Sequence, residues 1–566
     1  MAHYEDPSQF AYGLVVAAKR LGMLGRKTSK LALLDRACHA KNVWSYQRLR
    51  LGTALALPDF AAAERILAEI EADPPEGTEA DWLDICRRKI FRRVVDEPDI
   101  QARLNAKRPR QYQPVTGRIL YFLHNSLPYS SGGYATRGHG LLQGMRRIGY
   151  DMICVTRPGF PNDIIPVEAG DVPALDTIDG IDYHRITSPS RKDQIGHVYL
   201  VASADRIEQK LRELRPELVI AASNHLTSLP AQMAAARLGI PFIYEVRGFW
   251  EVTRASREPE FLETETYATL SRLEAMSAKA ADHVFTLTGG MRDELIRRGV
   301  AADNISLLPN SCDPWKFLPQ QRDHALAAAL NIPEGVPVIG YIGSFVQYEG
   351  LDDLARAAAI LKRRGVEFRL LLVGNENVSN QSKGPITAAI EAAAAEGGLA
   401  DWLIMPGRIP HEAVAAHYSL IDIAPFPRKP QLVTEMVSPM KPLEAMSMEK
   451  AVLASSVHAL SEMIDHDRTG LLFEKGNITA MADALHRLVG DSALRRRLGK
   501  AGREWVVNER TWPMTAQKAR AQISRVLAAH EGGAGLRPYQ PVPAHRDPAA
   551  EPARSAMRRS AAETAD

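Results

Sequence analysis

Residues 117–149, GRILYFLHNSLPYSSGGYATRGHGLLQGMRRIG, open with an apolar run of strand length and pass through a Gly-Ser loop into a segment whose apolar residues recur at helical spacing. Strand, glycine-rich turn and helix in that order form the repeating unit of a doubly wound domain. The alternation carries on through DMICVTR, ELVIAAS, LPAQMAAARLG, PFIYEVRG, SRLEAMSAKAA, HVFTLT, MRDELIRRG and ISLLPN. Apolar strands alternating with amphipathic helices predict a parallel sheet with right-handed crossovers.

A second series starts near Pro337 with VIGYIGSF, LDDLARAAAILKRRG and FRLLLVG, and runs on to AVLASS, GLLFEKG and ITAMADALHRLVG. The fold class is therefore α/β, with Rossmann-like domains over 113–320 and 321–530, each of about 200 residues and so of ordinary domain size. Open parallel sheets bind ligands at the carboxyl ends of their strands, so two sheets facing one another predict a cleft for two substrates. Ahead of them, residues 1–112 carry helical spacing and almost no strand signal. FAAAERILAEIEADPPEG and DWLDICRRKIFRRVV read as an all-α helical hairpin. This module is either a degenerate tetratricopeptide-like (TPR-like) repeat or a plain helical cap, since no second copy recurs at a fixed period. Residues 531–566, rich in Pro, Ala and charge without apolar periodicity, predict a disordered tail.

Composition narrows the class of activity from outside. The 566 residues are 45% hydrophobic and 24% charged, as in soluble globular proteins. Lys and Arg number 70 against 67 Asp and Glu, a net charge of +3 that is too balanced for a dedicated nucleic-acid surface. Cys38, Cys86, Cys154 and Cys312 lie far apart without CxxC spacing, which argues against a disulfide framework or zinc site and for a reducing compartment. The amino terminus lacks the basic-then-apolar pattern of a secretory signal, and no stretch nears the ~20 apolar residues that cross a bilayer. The expected location is cytoplasmic.

From about Gly117 to Trp512 the chain resembles the retaining nucleotide-sugar-dependent glycosyltransferases of the GT-B fold, family 4, also called group 1. The likeness rests on an ordered set of segments: SSGGYATRGHGLLQGMRRIGYD, PFIYEVRGFWE, ADHVFTLTGGMRDELIRRG, LLPNSCDPWKFLP, YIGSFVQYEGLDDL, LLLVGNEN and PMKPLEAMSMEKAVLASSVHALSEMIDHDRTGLLF. It stops short of the amino-terminal helices and the tail. The resemblance implies transfer of a sugar from a nucleoside diphosphate, UDP or GDP, to a glycan or lipid-linked glycan in exopolysaccharide, capsule or lipopolysaccharide assembly, with retention at the anomeric carbon. It further implies a front-side displacement in which the leaving phosphate oxygen takes the acceptor proton, so neither a cofactor nor a metal is required. It also has the terminal helices around ERTWPMTAQKARAQISRVL crossing back to the first domain.

Within this pattern Gly132 and Gly133 fall between strand and helix, where the missing Cβ lets backbone N–H groups approach a phosphate or sugar. A simple turn pair is the alternative. The resemblance places Glu444 on the ribose hydroxyls, puts Gly343 on the nucleotide side, and favours Lys441, in the P-x-K-x-x-E string PMKPLE, as the cation on the diphosphate. Arg408, Arg428 and Lys429 are further candidates, because a departing diphosphate needs positive charge.

The chain departs from the family twice. Position 436 is Met where a donor-sugar glutamate is usual, leaving Glu435 or backbone N–H groups of VTEMVSPMK to serve; Ser344 and Glu349 stand where many relatives carry Arg and Lys. Arg247, in YEVRGFWE, stays protonated and cannot act as a base. It is a catalytic candidate through pairing with a phosphate or an acidic acceptor, with Glu245 or Glu251 as the structural alternative. His225 and Tyr134 are expected on the acceptor side, His225 alternatively as a structural histidine. Asp465-His466-Asp467 spells the acid-x-acid metal signature of the other large glycosyltransferase fold but matches a surface loop here, so no metal is expected.

Arg137, Arg146 and Arg147 beside Leu141, Leu142, Met145 and Ile148 outline either a peripheral membrane helix at the inner face of the plasma membrane or a helix packed on its own sheet. The amino-terminal helices are the expected site for a protein partner. Two other readings stay open: a non-catalytic nucleotide-sugar-binding scaffold, and a nucleotide-sugar 2-epimerase.

Overall fold

A computed structural model describes residues 6–57, 59–91, 94–164, 172–376 and 384–530. The tail expected over 531–566 lies outside them. The first sheet contains β1 (Arg118–Leu123), β2 (Asp151–Thr156), β3 (Leu175–Ile178), β4 (Ile181–His184), β5 (Leu218–Ala222), β6 (Phe242–Val246), β7 (His283–Thr286) and β8 (Ile305–Leu307). Their order is β3-β4-β2-β1-β5-β6-β7-β8, and every neighbouring pair is parallel except β3 with β4. The second sheet holds β9 (Val338–Ile342), β10 (Arg369–Val373), β11 (Leu403–Gly407), β12 (Ile423–Phe426), β13 (Ala451–Ser455) and β14 (Leu471–Phe473), all parallel, ordered β11-β10-β9-β12-β13-β14.

In β1, Leu120 and Phe122 enter the core on one face while Ile119, Tyr121 and Leu123 enter the core on the other. Helices therefore cover both faces, which is why RILYFL reads as a continuous apolar run rather than an alternating one. The hairpin β3–β4 is absent from the strand series read above, although its turn residues, Asp179-Gly180, are a recognised hairpin signal. Both have positive φ, 49° and 74°, as a two-residue turn of this kind requires.

The helix Gly133–Arg147 follows β1, and glycine lets the carboxyl-terminal helix Trp512–His530 press against it. A Cβ on Gly140 would lie 2.3 Å from the Trp512 ring, and one on Gly144 2.5 Å from the Trp512 carbonyl oxygen. Ala516, Ala519 and Ile523 then join the first domain's core, so the last helix crosses back as the resemblance implies. The same packing corrects the membrane alternative for helix Gly133–Arg147. Leu141, Leu142 and Met145 are buried against the sheet, Arg137 is buried, and Arg146 donates to the Gly180 carbonyl at 2.5 Å. No helix among the described residues is long and apolar enough to cross a membrane.

The helices Pro7–Met23, Lys27–Ala40, Trp44–Ala56, Phe60–Ala72 and Ala80–Phe91 follow one another and share two small cores. A sixth, Glu97–Asn105, buries Ile100 and Leu104 against Tyr199, Leu229 and Leu273, so packing on the first α/β domain begins before residue 113. Asp59, 3% exposed, locks the module down. Its carboxylate caps its own helix at Ala62 N (3.3 Å) and accepts from Glu265 N (3.1 Å) and from Thr266 N and Oγ1 (both 2.9 Å).

Arg137, 2% exposed, ties the first sheet to the segment that leads into the second domain. Its Nε and Nη2 donate to Glu245 Oε1 (3.1 and 2.6 Å); further bonds reach the carbonyls of Leu308 (2.7 Å) and Pro309 (3.1 Å) and Asn310 Oδ1 (3.0 Å). All five donors are used. Arg137→Met is expected to destabilise the protein by about 3–5 kcal/mol, and Arg137→Lys, which cannot reproduce the planar fork, to recover only part of that. Denaturant unfolding measures both; wild-type stability in Arg137→Met would refute the tie.

Candidate active site

At the carboxyl end of β9 the backbone turns through Gly343 (φ 153°), and a Cβ there would sit 2.2 Å from Lys441 Cε. Gly374, after β10, passes Gly343 so closely that a Cβ on it would lie 1.9 Å from the Gly343 carbonyl oxygen. These two bare positions let the Lys441 side chain lie across the strand ends. Its Nζ donates to the Tyr341 hydroxyl at 2.6 Å and stands 4.9 Å from that ring's centroid. Glu444 follows in the same helix, Lys441–Ser447, and is half-buried. Burial pushes its carboxyl above the ordinary range, and nearby Lys441 offsets part of that rise. The structure thus brings Gly343, Lys441 and Glu444 together.

The other cations differ. Arg428, 6% exposed, holds Glu349 at 2.8 Å and the Val437 carbonyl at 2.8 Å, and Lys429 pairs with Asp352 at 2.9 Å. Burial works to raise the Glu349 carboxyl, but Arg428 and then Lys441 outweigh it and hold it below the ordinary range. Arg408 is exposed just beyond β11 and has no ion-pair partner among the described residues. Lys441 is the cation that faces the Gly343 turn.

Several side chains expected at the chemistry are committed elsewhere. Glu435 accepts from His458 N (2.8 Å) and Lys475 Nζ (2.6 Å), and Met436 is buried in the first domain's core. Arg247, 6% exposed, donates to Glu245 Oε2 (2.8 Å), the Tyr134 carbonyl (2.9 Å) and the Tyr121 hydroxyl, which is the Glu245 alternative. The Tyr134 hydroxyl accepts from His124 N at 3.2 Å and donates to the Ser223 carbonyl at 2.8 Å, and so links the residues just after β1 and β5. His225, 7% exposed, faces Glu274, with Oε1 at 2.7 Å from its backbone N and 3.2 Å from Nδ1. Asp467 pairs with Arg487 and Arg497, at 3.1 and 3.0 Å.

The two domains meet across the loop that precedes Lys441. Asn310 Nδ2 donates to the Ser438 carbonyl at 2.8 Å and Thr288 Oγ1 to the Met436 carbonyl at 2.5 Å, while a Cβ on Gly133 would come within 3.6 Å of Met440 Cε. Gly132 has open space around it. Sequence reading missed Tyr341, which orients Lys441, and Trp250, whose ring lies edge-on to His124 (centroids 4.5 Å apart) and to Tyr134 (6.5 Å) at the carboxyl edge of the first sheet. The signal for Tyr341 is weak, a lone hydroxyl inside an apolar strand; for Trp250 it is a large aromatic directly after a strand end.

The family description "Glycosyl transferase 4-like domain" matches residues 132–311, and "Glycosyl transferases group 1" matches residues 323–505. The chain belongs to the group 1 glycosyltransferases. This group 1 member is 26% identical over 275 residues to alpha-maltose-1-phosphate synthase of Mycolicibacterium smegmatis, covering 46% of this chain and 68% of the relative. It is also 26% identical over 394 residues to a GDP-mannose-dependent alpha-mannosyltransferase of the same organism, covering 68% of this chain and 91% of the relative. Several other curated relatives are matched over about half to two thirds of their length. Among solved structures, sucrose-phosphate synthase from Thermosynechococcus elongatus shares the fold with a TM-score of 0.58 at 21% identity, over 73% of this chain and 99% of that one.

The raised Glu444 carboxyl has a testable consequence. As pH falls it takes up a proton while ordinary glutamates, with pKa about 4.3, are still ionised, and the neutral acid accepts hydrogen bonds less well. Binding of a nucleoside diphosphate is expected to weaken on acidification ahead of the ordinary carboxylate range, and Glu444→Gln to lose that dependence. Calorimetry with UDP and GDP from about pH 8 to about pH 5 spans the window.

Proposed function

We propose that this group 1 glycosyltransferase transfers a sugar from a nucleoside diphosphate sugar, with UDP or GDP as the nucleotide, to a hydroxyl of a glycan or lipid-linked glycan in polysaccharide biosynthesis. The configuration at the anomeric carbon is retained. The observation that carries the reading is Lys441, held over Tyr341 beside the Cβ-free Gly343 turn, with Glu444 further along the same short helix at the carboxyl ends of the second sheet. Similarity to a GDP-mannose-dependent enzyme across 68% of the chain supports a nucleotide-linked donor.

In this scheme Glu444 accepts hydrogen bonds from the ribose hydroxyls and Lys441 faces the diphosphate. The bond from the anomeric carbon to the phosphate oxygen breaks, the bond to the acceptor oxygen forms on the same face, and the acceptor proton passes to the departing phosphate. The nucleoside diphosphate leaves with that proton. The protein contributes alignment of the two substrates and a cation at the developing charge, with no side-chain base. Arg247 and Glu435 act as positioning residues, Arg247 by fixing Tyr134 and Tyr121, Glu435 by fixing the start of helix His458–Ser461. A lipid-linked acceptor places the reaction at the cytoplasmic face of the membrane.

A mass-spectrometric screen of nucleotide sugars, each incubated with an acceptor extract, should show release of UDP or GDP from one donor class. Lys441→Ala is expected to lower turnover by about 100- to 1,000-fold, the usual effect of removing one group that stabilises developing charge. Glu444→Ala is expected to weaken nucleotide binding by roughly tenfold or more, as loss of charged hydrogen bonds implies. Unchanged nucleotide affinity in Glu444→Ala would sink the assignment.

A further inference from the structure

A cavity of about 800 Å³ opens where the helical module meets the carboxyl edge of the first sheet. One wall belongs to the sheet: Asn224 and His225 follow β5, and Trp250, 38% exposed, follows β6. The opposite wall belongs to the module, with Phe60 and Glu64 on helix Phe60–Ala72. The two walls are rigidly joined through Asp59 and the helix Glu265–Ala280, and through the pair Arg272–Glu97 at 2.8 Å. The module is thus part of the site's architecture, not a tethered arm.

Most charges on this cavity are already matched. Glu274 faces His225, Glu251 pairs with Arg298 at 2.7 Å, Arg254 with Glu258 at 2.9 Å, and Glu265 with Arg65 at 2.8 Å. Arg191 differs: it is half-buried, lines the cavity, and has no carboxylate partner among the described residues. Its charged neighbour Arg157 is engaged by both oxygens of Asp163, at 2.6 and 3.0 Å. Burial, then repulsion from Arg157, act against the Arg191 charge and outweigh the smaller support it gets from Tyr199 and Asp163. A guanidinium in that position is stabilised by an anion entering the cavity.

Resting on the transferase reading above, we propose that this cavity is the acceptor site, that the helical module forms half of it, and that the acceptor is a glycoside bearing an anionic group. The sugar ring lies against the exposed face of Trp250, whose apolar surface suits the C–H face of a ring. The carboxylate or phosphate of the sugar pairs with the Arg191 fork. A uronic acid and a sugar phosphate share that chemistry.

Ligand-observed NMR and calorimetry on the full chain, with a glucuronide, a sugar 1-phosphate and a neutral glucoside as probes, test this directly. Acidic probes are expected to bind about tenfold or more tighter than the neutral one, the size of a charged hydrogen-bonded contact; which acidic probe binds tighter separates the two sources. Arg191→Gln is expected to erase the preference, Arg191→Lys to restore part of it, and Ala61→Trp, which fills the cavity from the module side, to weaken all three probes. Nucleotide affinity and the thermal midpoint should stay at wild-type values in each variant, showing that folding and the donor site are intact. Equal binding of neutral and acidic probes to the wild-type chain, or a preference that survives Arg191→Gln, overturns the proposal. Failure of the transferase reading shows separately, as no nucleotide binding and no donor turnover while the acidic preference persists.

Discussion

The structure hangs on one buried guanidinium. Arg137 sits in the first turns of the helix that follows the glycine-rich loop, and its five donors reach Glu245 on β6, the Leu308 and Pro309 carbonyls, and Asn310. Asn310 in turn donates to Ser438, in the loop that leads to Lys441. A charge buried this deeply is tolerable only when fully hydrogen-bonded, so the spacing of helix, sheet and interdomain segment must satisfy all five bonds together. That requirement fixes where the second domain's loop meets the first domain.

Around that tie, charge is balanced in layers. Glu245 is shared between Arg137 and Arg247, and Glu349 is matched by Arg428. Lys441, whose ammonium meets a tyrosine hydroxyl and ring, and Arg191, in the cavity beside the helical module, have no ion-pair partner among the described residues.

Much of the fold was legible in the order of residues. The runs RILYFL, FIYEV and LLLV announced buried parallel strands because helices cover both faces, and that leaves a continuous apolar signature. The hairpin LDTIDGIDYH was harder, since both strands are four residues long and β3 is a largely exposed edge; its Asp179-Gly180 turn was the readable clue. The string PMKPLE pointed to Lys441 and Glu444, and the structure sets Lys441 against Gly343 with Glu444 in the same helix. Arg247, Tyr134 and His225 were expected at the chemistry, but their polar atoms face Glu245, Ser223 and Glu274, because residues at strand ends also carry the sheet's internal hydrogen bonds.

What the sequence by itself determined is the class of most elements, the β3–β4 hairpin apart, and the succession of two doubly wound domains, because apolar periodicity and glycine placement act over a few residues at a time. It also carried the chemical identity of the candidate donor residues, which lie close together in one short helix. Only the tertiary structure decided which charges are neutralised, since Glu349 and Arg428 are 79 positions apart in sequence and 2.8 Å apart in space. It alone showed that the amino-terminal helices wall a cavity with Trp250 and Arg191. Ion pairing and cavity walls depend on distances between segments remote along the chain, and no local pattern encodes those distances.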